Sequence, residues 1–369
     1  MGGGKALTGW IRRAVIFLPL LAAVCISCRA DFIGEAETEA LLPALPEGQA
    51  ALVSRARTEA GYDLNSGIRA LALNAASALR GIGRTGIAEG AKLLSLCLLG
   101  GLASLLLHDH TGIPSSAAAW GTVFAVTAVG VGSVGSVLNS AVEMMNELTV
   151  FANALLPSMA AAGVASGTAG ASLARQGAAM VVSELLINGL SRWMLPVVYG
   201  TLAVRLGGIL SKNEFLNRLS AFAKTSLTLF LRTILTLYTV YLTVSGLTGA
   251  AADTLAKRAA KVAVTAGVPL VGTALTDAVE SVYAGGALLK NTLGVFGMIA
   301  VMGCVLVPLI SMGVAYLALR CAAALARSGG EIAGCAAVDA IADSVSMVFA
   351  LCTAVSAMLL VTVIACMQP

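Results

Sequence analysis

The chain has 369 residues, 58% of them hydrophobic and only 11% charged, with a mean hydropathy of +0.90. Soluble domains carry roughly 25% charged residues, so this mixture cannot cover a water-facing surface, and several long apolar runs point to helices in a bilayer. The net charge of +4 resides entirely in Lys5, Arg12, Arg13 and Arg29, with no acid before Asp31; no basic patch with interleaved aromatics suits nucleic acid.

The N-terminal basic stretch precedes an apolar run from Ala14 to about Ser27, and small residues follow. This is the order of a secretory signal peptide over residues 1–30, with Ala30 as the last residue before cleavage. An uncleaved anchor is the competing reading. Residues 31–91 form a polar stretch, with "LLPALPEGQ" and glycines at 81, 83, 86 and 90. It reads as a small extramembrane region of amphipathic helices joined by turns.

From Lys92 to the end the chain reads as an all-α, polytopic transmembrane helical bundle. A helix needs about 20 mostly apolar residues to cross the hydrocarbon. Seven segments, with a margin of one or two, meet or approach that length at about 92–107, 117–138, 151–172, 178–204, 225–249, 293–319 and 345–366. Pro157 and "GVASGTAG" break the third, which makes it a candidate for a re-entrant span. Arg205, Lys212, Arg218 and Lys224 occupy one loop, and Lys257, Arg258 and Lys261 the next. These basic loops oppose one another, so the positive-inside rule assigns no orientation. The many glycines, alanines and serines suit close helix packing in lipid.

Four motifs are weighed and set aside as chemistry. "GVGSVG", Gly130 to Gly135, matches G-x-G-x-x-G but lies in an apolar helical stretch without the βαβ context of a dinucleotide site. His108 and His110 flank Asp109, with no further histidine to complete a metal site. Ser166 lies between glycines but lacks a base within reach. Cys97, Cys304, Cys321, Cys335, Cys352 and Cys366 are scattered in or beside apolar segments, as packed hydrophobes are. No catalytic residue, cofactor or metal ligand is expected.

Asp339 and Asp343 are four residues apart and share one helix face. They read as a juxtamembrane polar face or as part of an ion path. The stretch "GTALTDAVESVYAGGALLKNTLGVFG", residues 272–297, places Asp277 and Glu280 on one helix face, then "YAGG" as an interruption, then Lys290 and Asn291 before the span near Leu293. A charge at bilayer depth costs several kcal/mol, about 3 or more, unless it is paired or meets water. The segment is therefore either an interfacial amphipathic helix or a hairpin that lines an aqueous passage or docks a partner.

The stretch "VPLVGTALTDAVESVYAGGALLKNTLGVFGMIAV" resembles the stage III sporulation protein AE family, polytopic membrane proteins of endospore-forming bacteria. The residues that carry the likeness are Pro269, Gly272, Asp277, Ala278, Val282, Leu288 to Asn291, Gly294 and Gly297. "NALLPSMAAAGVASGTAG", "LPVVYGTLAV", "VSGLTGAAADTLAKRAAKVAV" and the C-terminal spans extend it over roughly residues 140–366. The resemblance implies a component of a channel-like assembly in the mother-cell membrane facing the forespore. The implied partners are other stage III sporulation A proteins and the forespore protein stage II sporulation Q, with homo-oligomers possible. It implies no catalytic residues. A stand-alone transporter using Asp277, Glu280, Asp339 and Asp343, and an intramembrane hydrolase using Ser166 or the aspartates, are the rivals.

Overall fold

The computed structural model describes residues 41–45, 57–58, 61–62, 64–110, 115–167, 177, 192, 196–211, 213–267, 272–328 and 332–367. Six helices dominate the described residues. They are α1 (Leu64–His110), α2 (Ser115–Ala165), α3 (Pro196–Ser211), α4 (Glu214–Gly267), α5 (Gly272–Ser328) and α6 (Ile332–Met367). A 3₁₀ turn, Leu42–Ala44, and a ladder of two-residue strands, Arg57–Thr58 and Gly61–Tyr62, precede them. Five of the helices (all but α3) are long and apolar enough to cross a membrane, as an integral membrane protein requires.

Local chemistry sets the helix ends. Asn213 caps α4: its side-chain oxygen accepts from the Phe215 N–H at 2.9 Å. Glu214 then places an acid in the first turn, where the helix dipole favours it. At the end of α2, Gly167 has φ 72°, the left-handed conformation a glycine adopts without strain. "GVASGTAG" thus ends a helix, as its composition suggests. Pro157 does not: α2 runs through it.

Contacts between facing residues fix the register. Gly313 faces Phe349 and Gly294 faces Met367, so α5 and α6 run antiparallel as a hairpin. Gly297 faces Leu155, and Gly286 faces Ala165 and Ser166, so α2 is antiparallel to α5. Gly86 faces Val314 and Gly90 faces Ala318, so α1 runs parallel to α5. The rings of Phe151 and Phe296 meet with centroids 6.1 Å apart between α2 and α5. Helix α5 touches α1, α2, α4 and α6, and α6 is buried along nearly all its length. A helix apolar on every side belongs at the centre of a bundle.

In lipid no hydrophobic drive pushes helices together, so close packing must hold them. The α2–α5 contact shows how. A Cβ on Gly286 would fall 2.5 Å from both the Ala165 carbonyl carbon and the Ser166 nitrogen. Only glycine allows that approach.

Three expectations change in the structure. The segments 117–138 and 151–172 lie largely on one helix, because Glu143, Asn146 and Glu147 occupy the outer side of turns whose inner side carries Met144, Met145 and Leu148. "YAGG" does not interrupt the chain after Asp277 and Glu280: α5 continues through Gly285 and Gly286, and the bare Gly286 lets α2 approach. The boundary expected at residues 91 and 92 falls inside α1. Much of the expected segment 178–204 lies outside the described residues, as does residues 1–40 with the signal-like stretch. "GVGSVG" sits within α2, with Gly130 against Ile341 of α6.

Candidate functional site: an ionic cluster tying four helices

Asp339 and Asp343 lie one turn apart on α6 and face its neighbours. Arg320 of α5 reaches both: Nη1 donates to Asp339 Oδ1 at 2.6 Å and Nη2 to Asp343 Oδ1 at 2.5 Å. Its planar fork suits this double contact, which a lysine cannot reproduce. Arg320 Nε also donates to the Tyr316 hydroxyl at 3.3 Å, and the guanidinium lies 5.5 Å from the Tyr316 ring centroid. That adds a cation–π contact.

The other cations arrive from further elements. Lys224 of α4 donates Nζ to Asp343 Oδ1 at 2.6 Å. Arg205 of α3 donates to Asp343 Oδ2, and Arg327 of α5 donates to Asp339 Oδ2. Asp343 is buried, with 5% of its surface exposed. A buried carboxylate is costly unless paired and hydrogen-bonded. Here three cations from three helices share it, so α3, α4 and α5 are all pinned to α6 at one level. The cluster lies near the end of the bundle where α3 turns into α4 and α5 into α6.

Asp339 and Asp343 were expected as a juxtamembrane polar face or as part of an ion path. Both carboxylates are committed to charge-assisted hydrogen bonds. Sequence reasoning missed Arg205, Lys224, Arg320 and Arg327 as their partners. The available signal was Arg320, a lone cation at the margin of the apolar stretch 293–319, 19 residues before Asp339.

The other expected contacts lie about 45 Å away along α5, by the helical rise over thirty residues. Lys290 is buried and Asn291 half-buried, both inside α5. Lys290 stands one turn from Gly286, which abuts Ser166, and one turn from Gly294, which abuts Met367. It is therefore level with the C-terminal ends of α2 and α6, where a cation is favoured by the helix dipole. Asp277 and Glu280 fall in the first turns of α5, and their side chains lie outside the described residues. The cluster and the 277–291 group are separate places on the bundle.

Ser166 is buried and donates its hydroxyl to the Gly163 carbonyl at 2.8 Å. His108, Asp109 and His110 form the last turn of α1. Among the described residues no group of three metal-ligating side chains converges. Cys97, Cys304, Cys335, Cys352 and Cys366 are buried and Cys321 is exposed, so five of the six pack as expected.

A third set of charges emerges only from the register. Carried along the helices, the α1–α5 contacts place Arg80 and Arg84 level with Pro308 and Met312. The α2–α5 contacts place Glu143 and Glu147 level with Leu309 and Val305. All four therefore lie beside the middle of the apolar stretch 293–319. Arg80, Arg84 and Glu143 are exposed, and Glu147 is half-buried. Among the described residues none of the four makes an ion pair.

No solved structure matches the chain. A curated relative, stage III sporulation protein AE of Bacillus subtilis (strain 168), is 26% identical over 230 residues. That alignment covers 60% of this chain and 55% of the relative, so the chain spans about half the length of the protein it matches. The family profile described as stage III sporulation protein AE matches residues 89–368, from the middle of α1 to the end of α6. With that extent of match, the chain belongs to the stage III sporulation protein AE family.

Proposed function

We propose that this chain is a membrane component of the channel-like assembly between mother cell and forespore, supplying a rigid helical frame and part of a polar passage. The observation that carries the reading is the placement of Arg80, Arg84, Glu143 and Glu147 beside the middle of an apolar span. Hydrocarbon does not accept unpaired charges. These faces of α1 and α2 therefore meet water or protein, while the exposed Leu229, Phe230, Leu237 and Val240 of α4 suit lipid.

Within this reading residues 1–30 act as a signal peptide and the protein sits in the mother-cell membrane facing the forespore. Asp277, Glu280, Lys290 and Asn291 make polar contacts with the passage or with partners. Those partners are the other stage III sporulation A proteins and stage II sporulation Q, and the role is structural or conduit-forming rather than enzymatic. A stand-alone proton path through Asp339 and Asp343 is not favoured, because guanidinium and ammonium groups hold both acids.

The experiment is complementation of a strain of an endospore-former lacking its own copy. Variants Glu143→Leu with Glu147→Leu, and Asp277→Ala with Glu280→Ala, are each expected to stay in the membrane at normal level while late forespore gene expression and spore yield fall. Undiminished sporulation from both would remove the reading.

A further inference from the structure

We propose that the α1 face carrying Arg80 and Arg84 binds the α2 face carrying Glu143 and Glu147 of a second copy of this chain, head to tail in the membrane plane. The inference rests on the reading above only for the depth of these charges. Two cations and two carboxylates stand on separate helices of one molecule, within about two turns of one another in depth, and among the described residues neither pair makes an ion pair. Copies embedded in the same membrane share one normal, so only groups at nearby depths can meet, and these four fall within roughly 10 Å along the helix axis.

The register supports two simultaneous pairs. Within the chain α1 runs parallel and α2 antiparallel to α5, so α1 and α2 run antiparallel to each other, with Gly100 facing Thr122. Copies in one membrane have the same orientation, so α1 of one and α2 of another are antiparallel too. In that arrangement Arg80 opposes Glu147 and Arg84 opposes Glu143 in a single register. It is shifted by five residues from the intramolecular one, roughly 8 Å along the axis. The reach of arginine and glutamate spans that shift.

The surfaces also suit a close approach. Gly81 and Gly83 on α1 have open space where a Cβ would stand, and small residues let membrane helices come near one another. Leu79 and Ile87 on α1 and Val150 on α2 are exposed beside the charges. Neither lipid nor bulk water satisfies such a mixture. The Glu143 and Glu147 carboxylates border a shallow groove with Ala44 and Leu45, open to the outside. Because the two faces differ, the contact is heterologous and propagates into a ring or a row rather than stopping at two copies.

The test is co-purification of two differently tagged copies expressed in one membrane and extracted in mild detergent. The variant R80E/R84E and the variant E143R/E147R, each as both tagged partners, are expected to lose association by roughly tenfold, since like charges then face each other. Mixing the two variants restores opposite charges at every contact between unlike copies, and the fourfold variant R80E/R84E/E143R/E147R restores them between like copies. Recovery in both cases is expected and separates the contact from simple misfolding. Wild-type association of either reversed variant would overturn the proposal, as would failure of both combinations to recover in proteins whose thermal unfolding is unchanged. A sporulation defect with association intact would leave the functional reading standing without this interface.

Discussion

The α5–α6 hairpin and the α1–α2 hairpin pack against each other yet treat charge in opposite ways. On α5 and α6 the acids Asp339 and Asp343 are matched by Arg320 and Arg327, with Arg205 and Lys224 added from α3 and α4. On α1 and α2, Arg80, Arg84, Glu143 and Glu147 stay outward and unpaired among the described residues. The first pair is largely buried, whereas less of α1 and α2 is covered by the described residues. The contrast separates a region whose charges hold this molecule together from one whose charges await something outside it.

The largest effect is expected at Asp343. Asp343→Ala removes the carboxylate shared by Arg205, Lys224 and Arg320. Breaking a buried ion-pair network this way costs about 3–5 kcal/mol. A large fall in thermal unfolding temperature in detergent is the expected result. Little change would mean that the cations find water and that the cluster does not hold α3 and α4 in place.

A smaller loss is expected at the α2–α5 contact. Gly286→Ala would put its Cβ 2.5 Å from backbone atoms that cannot rotate away. Overpacking of this kind costs about 1–3 kcal/mol. The smallest effect has the opposite sign. Gly81→Ala on α1, where no atom lies within 4 Å, should stabilise the folded chain by up to about 1 kcal/mol through helix propensity. Unfolding midpoints of the two variants moving in opposite directions would sharpen the division between inner and outer faces. A fall at Gly81 would show that α1 is already covered.

Parts of this architecture were legible in the sequence for plain reasons. The stretches 293–319 and 345–366 hold about twenty apolar residues each, and both lie within long helices. Asp339 and Asp343 could be placed on one face from their spacing alone. Their partners could not, because Arg205, Lys224 and Arg320 converge through tertiary packing that no local pattern encodes. Glu143 and Glu147 fall between the expected segments 117–138 and 151–172, where polarity alone gives no sign that one helix runs through. Only the core side of the same turns, with Met144, Met145 and Leu148, shows that the helix continues. "YAGG" misled similarly: glycine weakens a helix locally, but at Gly286 it permits a close backbone contact with α2.

Helix α5 runs 57 residues without a break, roughly 85 Å at the α-helical rise and well beyond a hydrocarbon core of about 30 Å. A helix of that length cannot lie wholly within hydrocarbon, so tens of ångströms of α5 stand where water, headgroups or another protein must surround it.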